Sequence, residues 1–159
     1  MDLTHVDSAG AARMVDVSAK EPTARTAVAS GVLRTTAEVI DLLRRDGLPK
    51  GDALATARIA GIMGAKRTPD LVPLCHPIAI NAVTVDLEPG ETEVRISATV
   101  RTTGPTGVEM EALTAVAVAG LTLHDMVKAV DPAAVLDGLR VERKEGGKTG
   151  VWTRPEDRP

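Results

Sequence analysis

Hydrophobic and polar positions change their period several times along the chain, and each change marks an expected element. Residues 1 to about 12 are mostly small and polar and predict an N-terminal arm. Arg13-Met14-Val15-Asp16-Val17 alternates and predicts a short strand, with a second extended segment over residues 26–33. Thr35-Thr36-Ala37-Glu38 has the form of a capping box with Thr35 as the cap. It should introduce a helix through Val39, Ile40, Leu42 and Leu43 that stops near Gly47-Leu48-Pro49. Asp52 is expected to cap the next helix, from Ala53 to about Ala65, whose Leu54, Ala57, Ile59, Ile62 and Met63 follow helical spacing.

Thr68-Pro69-Asp70 ends that helix, and Pro73-Leu74-Cys75-His76-Pro77 reads as a constrained loop, because each proline biases its predecessor towards extended geometry. Two alternating runs, residues 78–87 and 93–103, flank Pro89-Gly90 and predict an antiparallel hairpin. Residues 108–130 carry the longest helical pattern, closed by Asp131-Pro132. Residues 135–143 give a last strand before the loop Gly146-Gly147-Lys148-Thr149-Gly150. The order predicts an α+β fold, an antiparallel sheet with helices packed on one face.

Composition narrows the function. The 159 residues suit one domain, 43% hydrophobic, with one Trp and no Tyr or Phe. A core of aliphatic residues alone buries little area per residue, which favours further burial by oligomerisation. Formal net charge is -3, which argues against a broad grip on nucleic acid, as the missing aromatics argue against single-strand binding. A lone cysteine, no basic-apolar leader at the N-terminus and no run near the roughly 18 uninterrupted apolar residues of a membrane span predict a cytoplasmic protein. Residues 154–159 read as a frayed tail.

Most familiar chemistries fail on spacing. Glu145-Gly146-Gly147-Lys148-Thr149 resembles a P-loop, but position 142 is Glu where the pattern needs Gly. Lys148 on a glycine-rich loop can still meet phosphate, and an ordinary solvated loop is the equal alternative. His5, His76 and His124 are scattered, and no metal-binding pair appears. No G-x-S-x-G elbow is present. Cys75 and His76 are neighbours in an extended segment, so their side chains diverge, and Cys75 reads first as loop packing. On the long helix Glu111, Ala115, Val118, Thr122 and Asp125 share a face, and Asp125 and Lys128 stand at i, i+3. Alone, that pair reads as a surface ion pair near a helix end. Lys66-Arg67 has the same bland reading, yet it lies just ahead of the proline-braced His76 loop.

Longer motifs decide between these readings. Asp52-x-Leu54-Ala-Thr-Ala-Arg-Ile-Ala-Gly-Ile-Met63, Ala65-Lys-Arg-Thr-Pro-Asp-Leu71, Pro73-Leu-Cys-His-Pro77 and Gly107-Val-Glu-Met-Glu-Ala-Leu-Thr-Ala115 closely resemble the cyclic pyranopterin monophosphate synthases, the C proteins of molybdenum cofactor biosynthesis. The likeness extends to Leu3-Thr4-His5-Val6-Asp7, Arg13 to Val17, Asp125-Met126-x-Lys128-Ala129 and Gly146-Gly147-Lys148-x-Gly150, roughly residues 3–152. It implies a ferredoxin-like subunit in a hexamer of three dimers, with sites at dimer interfaces. The implied reaction converts 3',8-cyclo-7,8-dihydroguanosine 5'-triphosphate to cyclic pyranopterin monophosphate and diphosphate. The resemblance makes Asp125 and Lys128 the central catalytic pair, with His76 suited to proton transfer beside them. It assigns Leu74, Cys75, His76, Met110 and Glu111 to substrate contact, and Lys50, Lys66, Lys148 and Arg25 to the basic lining.

No redox cofactor or protein-bound metal is implied, and Mg²⁺ accompanying the triphosphate is left open. The chain departs from the family pattern at Pro105, where a basic residue is common, and at His124 and Val127, where Tyr and Cys are expected. Two other readings compete with the enzyme: a non-catalytic guanine-nucleotide-binding module of the same fold, and an assembly scaffold. Retained Asp125, Lys128 and His76 weigh against the first, and the clustered polar motifs against the second.

Overall fold

The computed structural model describes residues 4–158, so residues 1–3 of the expected arm and residue 159 of the expected tail lie outside the described residues. Alternation places four long strands and a short fifth where the chain predicts extended structure: β1 (Thr23–Arg34), β2 (Ile80–Pro89), β3 (Glu93–Gly104), β4 (Val135–Glu145) and β5 (Trp152–Thr153). They form one sheet in the order β2-β3-β1-β4-β5, antiparallel at every pairing. Helices α1 (Ala37–Arg44), α2 (Ala53–Lys66) and α4 (Glu109–Val127), with the single turn α3 (Thr68–Leu71), complete it. A strand, helices, a hairpin, a helix and a strand, with β1 between β3 and β4, is the ferredoxin-like split βαβ arrangement, extended here by the edge strand β5. The fold class is α+β.

The core lies between α4 and the sheet. Ala27, Ala29 and Leu33 of β1, with Val94, Ile96, Ala98 and Val100 of β3, alternate inward against Ala112, Ala115, Val116, Ala119 and Leu123 of α4. By length and hydropathy α4 would also qualify as a membrane span, a point that counting uninterrupted apolar residues misses; 56% of its apolar window is buried within this core.

Helix α2 approaches α4 through its small residues. Ala57, Gly61, Gly64 and Ala65 are buried, whereas Ile59 and Met63 are 60% and 56% exposed. A Cβ on Gly61 would come to 2.8 Å from the carbonyl of Ala115, and one on Gly64 to 2.7 Å from Val118. The packing face is thus chosen by size, because only small side chains allow two helix backbones this close. Gly61→Ala should destabilise the fold by about 1–3 kcal/mol, the usual cost of overpacking, despite alanine's better helix propensity. Urea unfolding measures it, and an unchanged midpoint would mean that the helices separate at no cost.

Other boundaries shift for local reasons. Thr36, not Thr35, caps α1, its hydroxyl accepting from Val39 N at 3.2 Å. Thr35 instead donates to Asp131 at 2.7 Å, across 96 positions of chain. Asp52 caps α2 as expected, accepting from Ala55 N at 3.1 Å. Residues 13–17 join no strand; the Val15 carbonyl instead meets the loop that carries His76. At the other end, Arg154 does not fray: its backbone N–H donates to the Glu142 carbonyl and its Nε to that of Val141, both at 2.8 Å.

Candidate active site

The residues singled out by sequence fall into two clusters at opposite ends of α4. At its N-terminal end a cavity of about 320 Å³ is lined by Leu74, Cys75, His76, Met110 and Glu111, together with Val15, Lys20 and Glu109. A loop bearing prolines on both sides of His76 can follow α3 because its own bonds close it. Val72 N donates to Thr68 O at 2.8 Å and Cys75 N to Val72 O at 3.1 Å. Thr102 of β3 ties the far end down by donating to the carbonyl of Ala79 at 2.5 Å.

Glu111 stands in the first turn of α4, which has no side-chain cap, so acidic residues there complement the exposed N–H groups. Only 3% of Glu111 is exposed. Burial pushes its carboxyl up from the usual glutamate range, and the Glu109 charge adds to this, against a lowering bond from its own backbone N–H. Burial likewise raises the Cys75 thiol, with the Glu111 charge as a second cause. A thiol held up in this way is a poor nucleophile, in keeping with packing as its role.

A carboxyl raised by folding stabilises the fold fully below the ordinary glutamate value, near 4.3, and that contribution is lost as pH rises through the folded value. Glu111→Gln should therefore abolish a loss of stability that wild type suffers as pH rises above the ordinary glutamate value. Thermal unfolding reads it as a gap that opens with pH, by about 2–4 °C for each kcal/mol. Identical pH dependence in the two proteins would show that Glu111 ionises as easily folded as unfolded.

The second cluster sits at the C-terminal end of α4. Asp125 is bridged by two lysines: Lys128 Nζ at 2.7 Å from Oδ1, and Lys50 Nζ at 2.6 Å from Oδ2. Lys128 caps the helix, and Lys50 arrives on the loop before α2. Hydrogen bonds from Lys128 and then Lys50 hold the Asp125 carboxyl down at about 2. All three side chains remain about half exposed, so the charges are available to a ligand. The i, i+3 spacing announces the Lys128 contact; nothing local announces that of Lys50, which comes from 75 positions away.

The remaining basic residues divide. Arg25, on β1, donates to the carbonyls of Gly104 at 3.2 Å and Pro105 at 3.3 Å, so the Pro105 departure leaves a backbone acceptor in use. Gly146 and Gly147 adopt φ of +96° and +72°, and a Cβ on Gly146 would run into the Ala24 carbonyl, which explains the glycine pair in that loop. Arg25 and Thr149 line a small cleft whose wall includes Gly107 and Glu109, both shared with the His76 cavity. Lys148 projects from the same loop, exposed. Lys66 is exposed at the end of α2 and lines neither cavity. His124 faces away from the site, its Nε2 donating to the Ala134 carbonyl at 3.0 Å, and Val127 is fully buried.

Sequence reading missed Val15, Lys20 and Glu109 as lining residues. Glu109 stands about 200° round the helix from Glu111, so helical spacing gives no sign that both line one cavity. A larger cavity, about 420 Å³, opens on the helix-free face of the sheet beside Arg34, Arg95 and Arg140, and it holds none of the residues singled out. Arg34 is already paired with Glu93 and Asp137, and Arg140 with Glu142. Among the described residues no three His, Cys, Asp or Glu side chains cluster as metal ligands.

Comparison with known proteins points to one family. The MoaC family model matches residues 14–147. The cyclic pyranopterin monophosphate synthase of Streptomyces coelicolor is 67% identical over 152 residues, covering 96% of this chain and 89% of that protein. The cyclic pyranopterin monophosphate synthase 2 of Mycobacterium tuberculosis is 62% identical over 153 residues, covering 96% and 92%. That of Corynebacterium efficiens is 60% identical over 152 residues, covering 96% and 98%. By a family match over most of its length and by relatives this similar from end to end, the chain belongs to the MoaC family.

Proposed function

We infer that the chain is a cyclic pyranopterin monophosphate synthase acting in the cytoplasm in molybdenum cofactor biosynthesis. The observation that carries the reading is the Lys50–Asp125–Lys128 bridge, two ammonium groups oriented by one carboxylate on the family's motif residues. Its substrate is 3',8-cyclo-7,8-dihydroguanosine 5'-triphosphate. A ribose-derived oxygen attacks the α-phosphorus, the bond from that phosphorus to the bridging oxygen breaks, and diphosphate leaves. Preorganised cations stabilise the charge that develops on the leaving group. Lys50 and Lys128 supply two of these; Arg25 and Lys148 extend the lining, with Lys66 farthest from it.

Asp125, with its carboxyl at about 2, is too weak a base to take protons near neutrality. Its part is to hold the two lysines, which leaves Lys128 and His76 as the proton carriers. Glu111 accepts from the N–H edge of the purine-derived ring, and Leu74 and Met110 form aliphatic walls, so base recognition needs no aromatic stacking. The rearrangement has no net electron transfer and calls for no redox cofactor; any Mg²⁺ arrives with the triphosphate.

The two clusters stand about 21 Å apart along α4, from Glu111 to Asp125 at 1.5 Å per residue. A single reacting centre cannot touch both within one chain. Met110, Leu113, Ala117 and Leu121 continue at helical spacing to Asp125, and Leu121 is 64% exposed, so an outward stripe joins the two ends of the helix. A two-fold axis near Ala117 would run two copies of α4 antiparallel and set Glu111 and His76 of one subunit beside Asp125 and Lys128 of the next. The family's hexamer, a trimer of such dimers, accommodates this. Purified protein given the cyclised substrate should release diphosphate and, after oxidation, yield a pterin. Binding without release would select the nucleotide-binding module instead, and neither would select a scaffold.

A further inference from the structure

One backbone group outside the residues assigned above touches the site. The carbonyl oxygen of Val15 lies 2.5 Å from His76 Nε2. A carbonyl only accepts, so Nε2 carries the proton and donates it. In the neutral ring Nδ1 is then a bare acceptor, because the bond made by one ring nitrogen selects the state of the other. Among the described residues His76 makes no second side-chain hydrogen bond.

Val15 is held in place without a sheet. Asp7 Oδ1 accepts from Ala9 N at 2.8 Å and from Ala11 N at 2.9 Å, closing a turn. Arg13 N donates to the His5 carbonyl at 2.8 Å, and Ser18 N to Asp16 Oδ1 at 2.9 Å. Between these anchors Val15 and Val17 form one wall of the cavity shared by His76, Met110 and Glu111.

We propose that Val15 is a positioning residue: its carbonyl locks His76 in the Nε2–H tautomer and presents Nδ1 as the nitrogen that accepts a proton from substrate. Residues 13–17 form no strand, and the segment presents a backbone carbonyl to the imidazole instead of to a ladder. The proposal deepens the role given to His76 above, and its first readout does not depend on turnover.

Two-bond proton–nitrogen correlation spectra of ¹⁵N-histidine-labelled protein, with His76 assigned through a His76→Gln variant, report which ring nitrogen is protonated. A single Nε2–H tautomer is expected. Protonation at Nδ1, or an equal mixture, would overturn the proposal. Val15→Gly retains the carbonyl but frees its backbone, so the tautomer should become mixed and kcat should fall by at least about fivefold, the worth of one well-placed hydrogen bond. Circular dichroism checks that the fold is kept. A single tautomer together with wild-type kcat in that variant would remove the positioning role. If wild-type protein shows the tautomer but releases no diphosphate, it is the proposed function that fails.

Discussion

Lys128→Ala lowers diphosphate release by at least about 10²-fold, the contribution of a positioned proton carrier, while the fold and the subunit assembly persist. The asymmetry follows from the residue's surroundings. Its side chain is 55% exposed and ion-paired to the half-exposed Asp125, so removing it strands no buried charge. What it takes away is one of two cations poised at the Asp125 carboxylate. Lys50 remains, at 2.6 Å, and keeps that carboxylate ionised, so the loss reports on chemistry and not on a collapsed site. Retention of more than about a tenth of the wild-type rate would deny Lys128 a catalytic role.

The second large effect is a recovery. Lys128→Ala and Glu111→Ala, each inactive alone, should regain up to about a quarter of wild-type activity when mixed and allowed to exchange subunits. In a two-fold dimer that shares its sites, half of randomly paired dimers are mixed. Each mixed dimer holds one site with both defects and one with neither. The expectation rests on the separation of Glu111 and Asp125 along α4 and on the outward stripe between them. No recovery, despite proven exchange, would mean that each chain completes its own site, by a bend or closure that brings the ends of the helix to one ligand.

How much of this was legible in sequence depended on how far apart the cooperating residues lie. The Asp52 cap, the β2–β3 hairpin and the run of α4 are set by neighbours within a few positions, and pattern found them. Thr35 and Thr36 offered the same local chemistry, and the choice between them was made by Asp131, far along the chain. On α2 the spacing of Leu54, Ala57, Ile59, Ile62 and Met63 marks the helix, but Ile59 and Met63 stay exposed because packing against α4 selects Gly61 and Gly64 by volume. In the site, the Asp125–Lys128 pair was readable at i, i+3, and the His76 loop announced itself by its prolines. Lys50 came into contact only through the fold, and Val15 contributes a backbone carbonyl, which has no signature in side-chain identity.

Trp152 gives the chain an unplanned instrument. It is paired with Lys144 on the edge strand, its ring lies 5.8 Å below the Arg154 guanidinium, and it lines a groove with Glu109 and Thr149 beside the Gly146–Gly150 loop. With no Tyr or Phe anywhere in the sequence, every photon of intrinsic ultraviolet emission comes from this one indole. A ligand that orders the Lys148 loop alters the solvent around a ring that is 37% exposed, and no other residue dilutes the change. Binding at the Lys148 loop and unfolding of the β4–β5 edge can therefore each be followed optically in the unlabelled protein, and a Trp152→Leu variant supplies a dark background.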